Sequence, residues 1–250
     1  SEREVLDRLD MYVTFAREHL AIETYFGRKS DSEKFAGALN TYGVEAMMQD
    51  GKALQFGTSH DLGQNFAKAF GIQFTDKDGE TKLPWQTSWG VSTRMMGALI
   101  MTHSDDNGLV LPPNIAPVKV VLIPIFTDGN KEKVLGVVSK VVEDLKKEIV
   151  EVELDDRDFV SPGFKFNEWE KKGVPVRIEI GERDIQENNA VVVRRDTGEK
   201  KSVKLESICY EIKNILDQIQ NSLLENSKQN LVSQTHRVEN FDEMKSLLEN

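Results

Sequence analysis

Apolar positions near the start of the chain recur at helical spacing. Val5, Leu9 and Tyr12 share a face, which predicts an amphipathic helix from Glu2 to Leu20. The period then shortens. Thr41 to Met48 and Ala53 to Thr58 read as strands joined by Gln49-Asp50-Gly51-Lys52, a turn sequence that predicts an antiparallel hairpin. Leu62 to Phe70 reads as a helix with Phe66 and Phe70 on one face and Gly71 ending it. The polar run TDKDGETK from Thr75 is a hairpin turn, Trp85 to Val91 is β-like, and a helix is expected from Arg94 to Met101, with Met95, Met96 and Met101 as core packing. Hairpins with a few packed helices predict an antiparallel α+β layer.

Leu111-Pro112-Pro113-Asn114 breaks this pattern, because two prolines remove backbone donors and bias the preceding residues away from helix. Residues 1–113 are therefore expected to form one unit. Beyond them strands and helices alternate. Val118 to Phe126 is a near-continuous apolar strand, and Lys131 to Ile149 is a helix carrying Val134, Val138, Val141 and Leu145. A strand is expected at Val150 to Leu154. Ser161-Pro162 is an N-cap followed by proline, opening a helix through Trp169 that stops at Gly173. Strands at Val174 to Ile180 and Ala190 to Arg195 complete an α/β domain over residues 114–200, with a mixed, largely parallel sheet. Residues 201–250 are expected to be a long helix, with Ile208, Ile212, Ile215, Ile219 and Leu223 on one side, then a linker and a short helix at Phe241 to Leu248.

Composition narrows the function classes. The 250 residues include 32 Lys and Arg against 42 Asp and Glu, a net charge of −10, which argues against a generally basic nucleic-acid surface but leaves local basic patches open. Cys209 is the single cysteine, which excludes a disulfide framework and any multi-cysteine zinc site, and with four scattered histidines no metal site is expected. The most apolar run is about half the ~18 residues a membrane span needs, and the first residues are too charged for a signal peptide. A soluble, cytoplasmic chain with no membrane partner is expected.

Two segments concentrate directed polar groups. Gln55, Thr58, Ser59 and His60 surround Gly57 at a strand end, a set that fixes a small polar ligand or else caps the next helix. Ser92, Thr93 and Arg94 stand where a strand passes into a helix, flanked by small residues. A guanidinium there either clamps phosphate oxygens through two N–H groups or bonds a structural carboxylate. In the second unit, Lys165, Glu168, Glu170, Lys171 and Lys172 read as a solvated helix face, and Arg177, Arg183, Arg194 and Arg195 as mostly surface; an aromatic beside them, such as Phe166, stacks a base or belongs to the core. His103 to Gly108 reads as a polar turn.

Four blocks carry a resemblance to a known family: GRKSDSEKFAGA from Gly27, ALQFGTSHDLGQNFAKAF from Ala53, SWGVSTRMMGALIMTHSDDNGLVLPPNIAP from Ser88, and SPGFKFNEWEKKGVPVRIEIGERDI from Ser161. In this order, over nearly the whole chain, they resemble the prolyl-tRNA synthetases of the eukaryote- and archaea-like type. The resemblance implies half of a class II catalytic domain with its antiparallel sheet, followed by an anticodon-binding domain. It also implies a cytoplasmic ligase that converts proline and ATP to prolyl-adenylate and pyrophosphate, then passes the prolyl group to tRNA(Pro). By position, Gln55, Thr58, Ser92 and Arg94 fall at ATP-binding residues, Arg94 being the catalytic arginine of motif 3. Phe35, His60 and Thr93 fall at the proline site, and Phe166, Glu170, Arg177, Arg183 and Asp184 face the anticodon. ATP enters with Mg as substrate, and no bound cofactor is implied.

The chain departs from the family by lacking motif 1, which forms the homodimer contact of the intact enzyme, and motif 2. It begins where the helix after motif 2 should begin and ends before the C-terminal domain. The isolated chain is therefore expected to be inactive. Two other readings are a non-catalytic synthetase-like protein that holds tRNA and an unrelated α+β ligand-binding protein.

Overall fold

The leading helix α1 (Glu2–Glu18) buries Val5, Leu9, Tyr12, Val13 and Ala16 because these positions fall on one stripe of a 3.6-residue repeat. In the computed structural model, which describes residues 1–149 and 151–248, that stripe covers one face of an antiparallel sheet. In chain order the first part continues with β1 (Thr24–Arg28), β2 (Asn40–Met47), β3 (Ala53–Gly63), α2 (Asn65–Phe70), β4 (Phe74–Thr75), β5 (Thr81–Lys82), β6 (Gln86–Val91) and α3 (Arg94–His103). The sheet order is β1-β2-β3-β6, and β4-β5 form a separate small hairpin at the expected polar turn. Val44, Ala46 and Phe56 pack with Leu9, Tyr12, Val13 and Ala16 of α1 and with Ala98 and Leu99 of α3.

Several expectations are corrected here. Leu62 and Gly63 do not open a helix. They continue β3, because Asp61 pairs with Asn40, Gly63 pairs with Gln86, and the Asp61 carboxylate accepts the Gly63 N–H at 3.0 Å. The helix begins at Asn65 and ends at Gly71, whose φ of 67° suits a residue without Cβ. Strand β1 was not foreseen. Of the methionines, Met95 packs against the core, whereas Met96 and Met101 are exposed.

The second part runs β7 (Val120–Ile125), α4 (Lys131–Lys146), β8 (Val152–Leu154), α5 (Pro162–Lys171), β9 (Val176–Gly181), α6 (Glu182–Gln186), β10 (Asn189–Arg194), β11 (Lys200–Lys204), α7 (Ile208–Ser233) and α8 (Phe241–Leu248). Val150, the expected first residue of β8, lies outside the described residues. The sheet order is β11-β10-β9-β7-β8. Only β7, β8 and β9 run parallel, and β10 and β11 add to the edge as an antiparallel hairpin, so the sheet is mixed rather than largely parallel. Alternate positions face opposite layers. Val120, Leu122, Ile178, Ile180 and Val192 share a core with α4 and α7, while Val121 and Ile123 meet Val174, Phe166 and Trp169 on the α5 side. The Ser161 hydroxyl caps α5 by accepting the Phe164 N–H at 3.3 Å.

This unit does not stop at residue 200. Strand β11 belongs to its sheet, and Ile208, Ile212, Ile215 and Ile219 of α7 belong to its core. Further along, α7 turns back to the first sheet: Ser227 accepts the Glu23 N–H at 3.1 Å, and Asn230 donates to the Met48 carbonyl at 3.2 Å. A second junction corrects the surface reading of Arg195. Its side chain is 5% exposed and donates two bonds to Asp105, at 2.8 and 2.6 Å, across the two parts. The backbones close up alongside, since Leu109 donates to the Lys171 carbonyl at 3.0 Å, and a Cβ on Gly108 would stand 2.6 Å from Lys171 backbone atoms. Helix α8 shows Phe241 and Leu248 to solvent.

Candidate functional site

Strand β3 carries a bulge that arranges the first site. Glu45 pairs with Gln55 and Val44 with Gly57, leaving Phe56 as the extra residue. Gln55 and Thr58 are three positions apart, so strict alternation would place them on opposite faces. Because the bulge absorbs one residue, Phe56 turns into the core at 2% exposure, and Gln55, Thr58 and His60 emerge together on the outer face. The β6 register sets Gly90 beside Thr58 and Ser88 beside His60. Together with Ser92 and Arg94 these residues line an open cavity of about 420 Å³.

Its side chains differ in how firmly they are held. Thr41, which sequence reasoning missed, accepts the Phe35 N–H at 2.9 Å, and its hydroxyl lies 3.0 Å from His60 Nδ1. With that hydroxyl donating to Nδ1, the neutral ring keeps its hydrogen on Nε2. Burial, and then the nearby Lys29 charge, holds His60 below the ordinary histidine range, in keeping with the neutral form. The Phe35 ring lies 5.0 Å from His60 and 6.2 Å from Phe66, half exposed, so it borders the cavity through His60. Arg94 opens α3 with its backbone N–H on the Ser92 hydroxyl at 3.3 Å, and its guanidinium makes no ion pair among the described residues. Thr93 is the N-cap residue of α3, makes no side-chain cap bond and does not line the cavity.

The second site lies on the α5 side of the mixed sheet. Phe166, Glu170 and Arg177 line one cavity of about 310 Å³ with Asn167, Trp169, Arg194 and Lys200. The Arg177 guanidinium sits 4.5 Å from the Phe166 ring centre while its Nε donates to Glu179 at 3.0 Å. The result is a flat stacked face with donors at its edge, suited to an unstacked base. Arg183 and Asp184 stand apart in α6, past the end of β9, where the Asp184 carboxylate accepts the Gly181 N–H at 2.7 Å. Lys200 was missed because KKSVK offers one apolar position and gives no strand signal; Asn167 and Glu179 had no signal of their own.

The comparisons with known proteins follow this division. Residues 119–215 match the family model described as "Anticodon binding domain", which covers the whole mixed sheet and reaches into α7. The chain is 51% identical over 249 residues to proline–tRNA ligase 2 of Clostridioides difficile, 49% identical over 249 residues to that of Natranaerobius thermophilus, and 48% identical over 250 residues to that of Bacteroides fragilis. Over its whole length the chain is similar to proline–tRNA ligases. All of the chain is covered in each match, yet it spans about half the length of the curated relatives, 51%, 51% and 50% respectively. The likeness to proline–tRNA ligases, enzymes also called prolyl-tRNA synthetases, therefore includes the first sheet as well as the anticodon-binding domain. Among the described residues no helix is long and apolar enough to cross a membrane.

Proposed function

We propose that the chain supplies one half of a proline-activating site and a complete tRNA-reading domain to a cytoplasmic, homodimeric proline–tRNA ligase of the class II type. The observation that carries this reading is the bulge at Phe56, which puts Gln55, Thr58 and His60 on the same cavity face as Arg94. In activation, a proline carboxylate oxygen attacks the α-phosphorus of ATP, which enters with magnesium as substrate, and the bond to pyrophosphate breaks. Arg94 binds phosphate oxygens and stabilises the charge that grows on the departing pyrophosphate, a contribution that increases in the transition state. Gln55, Thr58 and Ser92 orient the nucleotide. Phe35 gives the pyrrolidine ring an apolar wall, with neutral His60 on the polar side. The terminal ribose hydroxyl of tRNA(Pro) then attacks the prolyl carbonyl and AMP leaves.

Phe166, Glu170, Arg177, Arg183 and Asp184 read the anticodon, the aromatic by stacking and the charged groups by hydrogen bonding to base edges. The 250-residue chain alone is inactive in ligation, because groups that act as a unit do not leave proportional activity when part of the set is missing. The test is proline-dependent exchange of pyrophosphate into ATP. The intact ligase is expected to show it and to lose on the order of 100-fold on Arg94→Ala. Near-normal exchange in that variant removes Arg94 from the site, and exchange by the 250-residue chain alone refutes the half-site.

A further inference from the structure

The bulkiest of the fully buried side chains is a lysine. Lys165, expected on a solvated helix face, is 2% exposed and donates from Nζ to the Asp155 backbone carbonyl at 3.0 Å, with the Asp155 carboxylate 3.8 Å away. Asp155 is equally buried and is the centre of a cluster. Its carboxylate accepts Arg157 Nε at 2.8 Å, an Arg157 terminal nitrogen at 2.7 Å and the Trp169 indole N–H at 2.8 Å. Arg157 also bonds Glu168 at 2.7 Å, and the Asp155 backbone N–H is fixed to the Leu122 carbonyl of β7 at 2.9 Å.

The α5 members of this cluster are Lys165, Glu168 and Trp169, spaced as neighbours on one helical stripe. Phe166 and Glu170 are each one residue further on, turned by about 100° around the axis, and line the cavity over β9. A rotation of α5 that broke the cluster would therefore also carry Phe166 away from Arg177. Stability alone does not account for the arrangement, since burying an ammonium and a carboxylate is expensive and well-packed apolar residues often do as well or better. Burial pushes the Asp155 carboxyl upward, but the Arg157 and Trp169 bonds and the Lys165 charge outweigh it and hold it at about 2.

We propose that Asp155 is a positioning residue for RNA reading: held on β7 and bonded to the inner stripe of α5, it sets that helix's rotation and so the placement of Phe166 and Glu170. This rests on the tRNA-reading assignment above. The experiment titrates the 250-residue chain with tRNA(Pro) and with a tRNA altered in one anticodon base, in the parent, Arg177→Ala, Asp155→Asn and Trp169→Phe. Trp169→Phe removes the indole donor while keeping a smaller aromatic side chain, so it remains informative where Asp155→Asn fails to fold.

The expected result for Trp169→Phe, and for Asp155→Asn where folded, is full binding stoichiometry, a Kd raised about 10-fold and a smaller preference for the unaltered anticodon. Unchanged Kd and preference, or a loss confined to stoichiometry, overturns the positioning role. If Arg177→Ala weakens binding while Trp169→Phe does not, the positioning inference alone fails. If Arg177→Ala also leaves binding unchanged, the tRNA-reading assignment fails and takes the inference with it.

Discussion

The two sites of this chain are built on opposite plans. The cavity of the first sheet is open, bordered by the exposed edge strand β6, and its guanidinium, Arg94, has no ion-pair partner among the described residues. The cavity of the second sheet has its arginine, on β9, already tied to Glu179 and stacked on Phe166 of α5, a helix bonded from behind to Asp155. An uncommitted cation beside small residues is suited to a ligand that brings its own negative charge. A preassembled stack is suited to a base that must be accepted or refused by shape and hydrogen bonding. The contrast fits the proposal that the first site is completed by its ligand and by further parts of a ligase, whereas the second reads bases as it stands.

The largest effect tests whether the two regions are rigidly joined. Asp105→Ala removes the carboxylate that pairs the buried Arg195, leaving it only the Glu170 carbonyl at 2.9 Å, and is expected to cost about 3 kcal/mol in urea unfolding; a change within experimental error would mean that the sheets are held by α7 and the backbone contacts instead. Next, Arg94→Ala in the intact ligase separates the sites, with exchange falling on the order of 100-fold while tRNA affinity and thermal stability stay level, because the side chain is exposed and has no ion-pair partner among the described residues.

The acid limb is smaller. A carboxyl held at about 2 rather than 3.8 stabilises the fold above the ordinary carboxylate value, and that stability is lost as pH falls from about 4 toward 2. The loss is about 2 kcal/mol, which acid titrations of stability should show in the parent and lack in Asp155→Asn. Smallest, Ser161→Ala removes the α5 cap and should lower stability by about 1 kcal/mol without altering the first site, measured as unchanged proline-dependent exchange by the intact ligase.

The strands and helices with clean periodicity were legible, among them α1, the β2–β3 hairpin, β7, α4 and the Ser161 cap. The resemblance to the ligases was legible in four sequence blocks. The bulge was not legible: nothing in QFGT announces that Phe56 turns inward, because the choice is made by its fit against α1 and by the β2 register. Strands β1 and β11 were missed because TYFGR and KKSVK lack alternation and owe their conformation to neighbours. Lys165 and Arg195 were misplaced for a common reason. A charged residue reads as solvated unless its partner is known, and Asp155 and Asp105 lie 10 and 90 positions away in sequence.

The central claim is that the second site discriminates bases unaided while the first is incomplete. It is tested most directly by titrating the 250-residue chain with tRNA(Pro) and with tRNAs altered at single anticodon bases, at two salt concentrations. The account predicts that each alteration weakens binding by about 1–3 kcal/mol and that the preference survives the higher salt. Equal affinity for all of these tRNAs, falling together with salt, would contradict it.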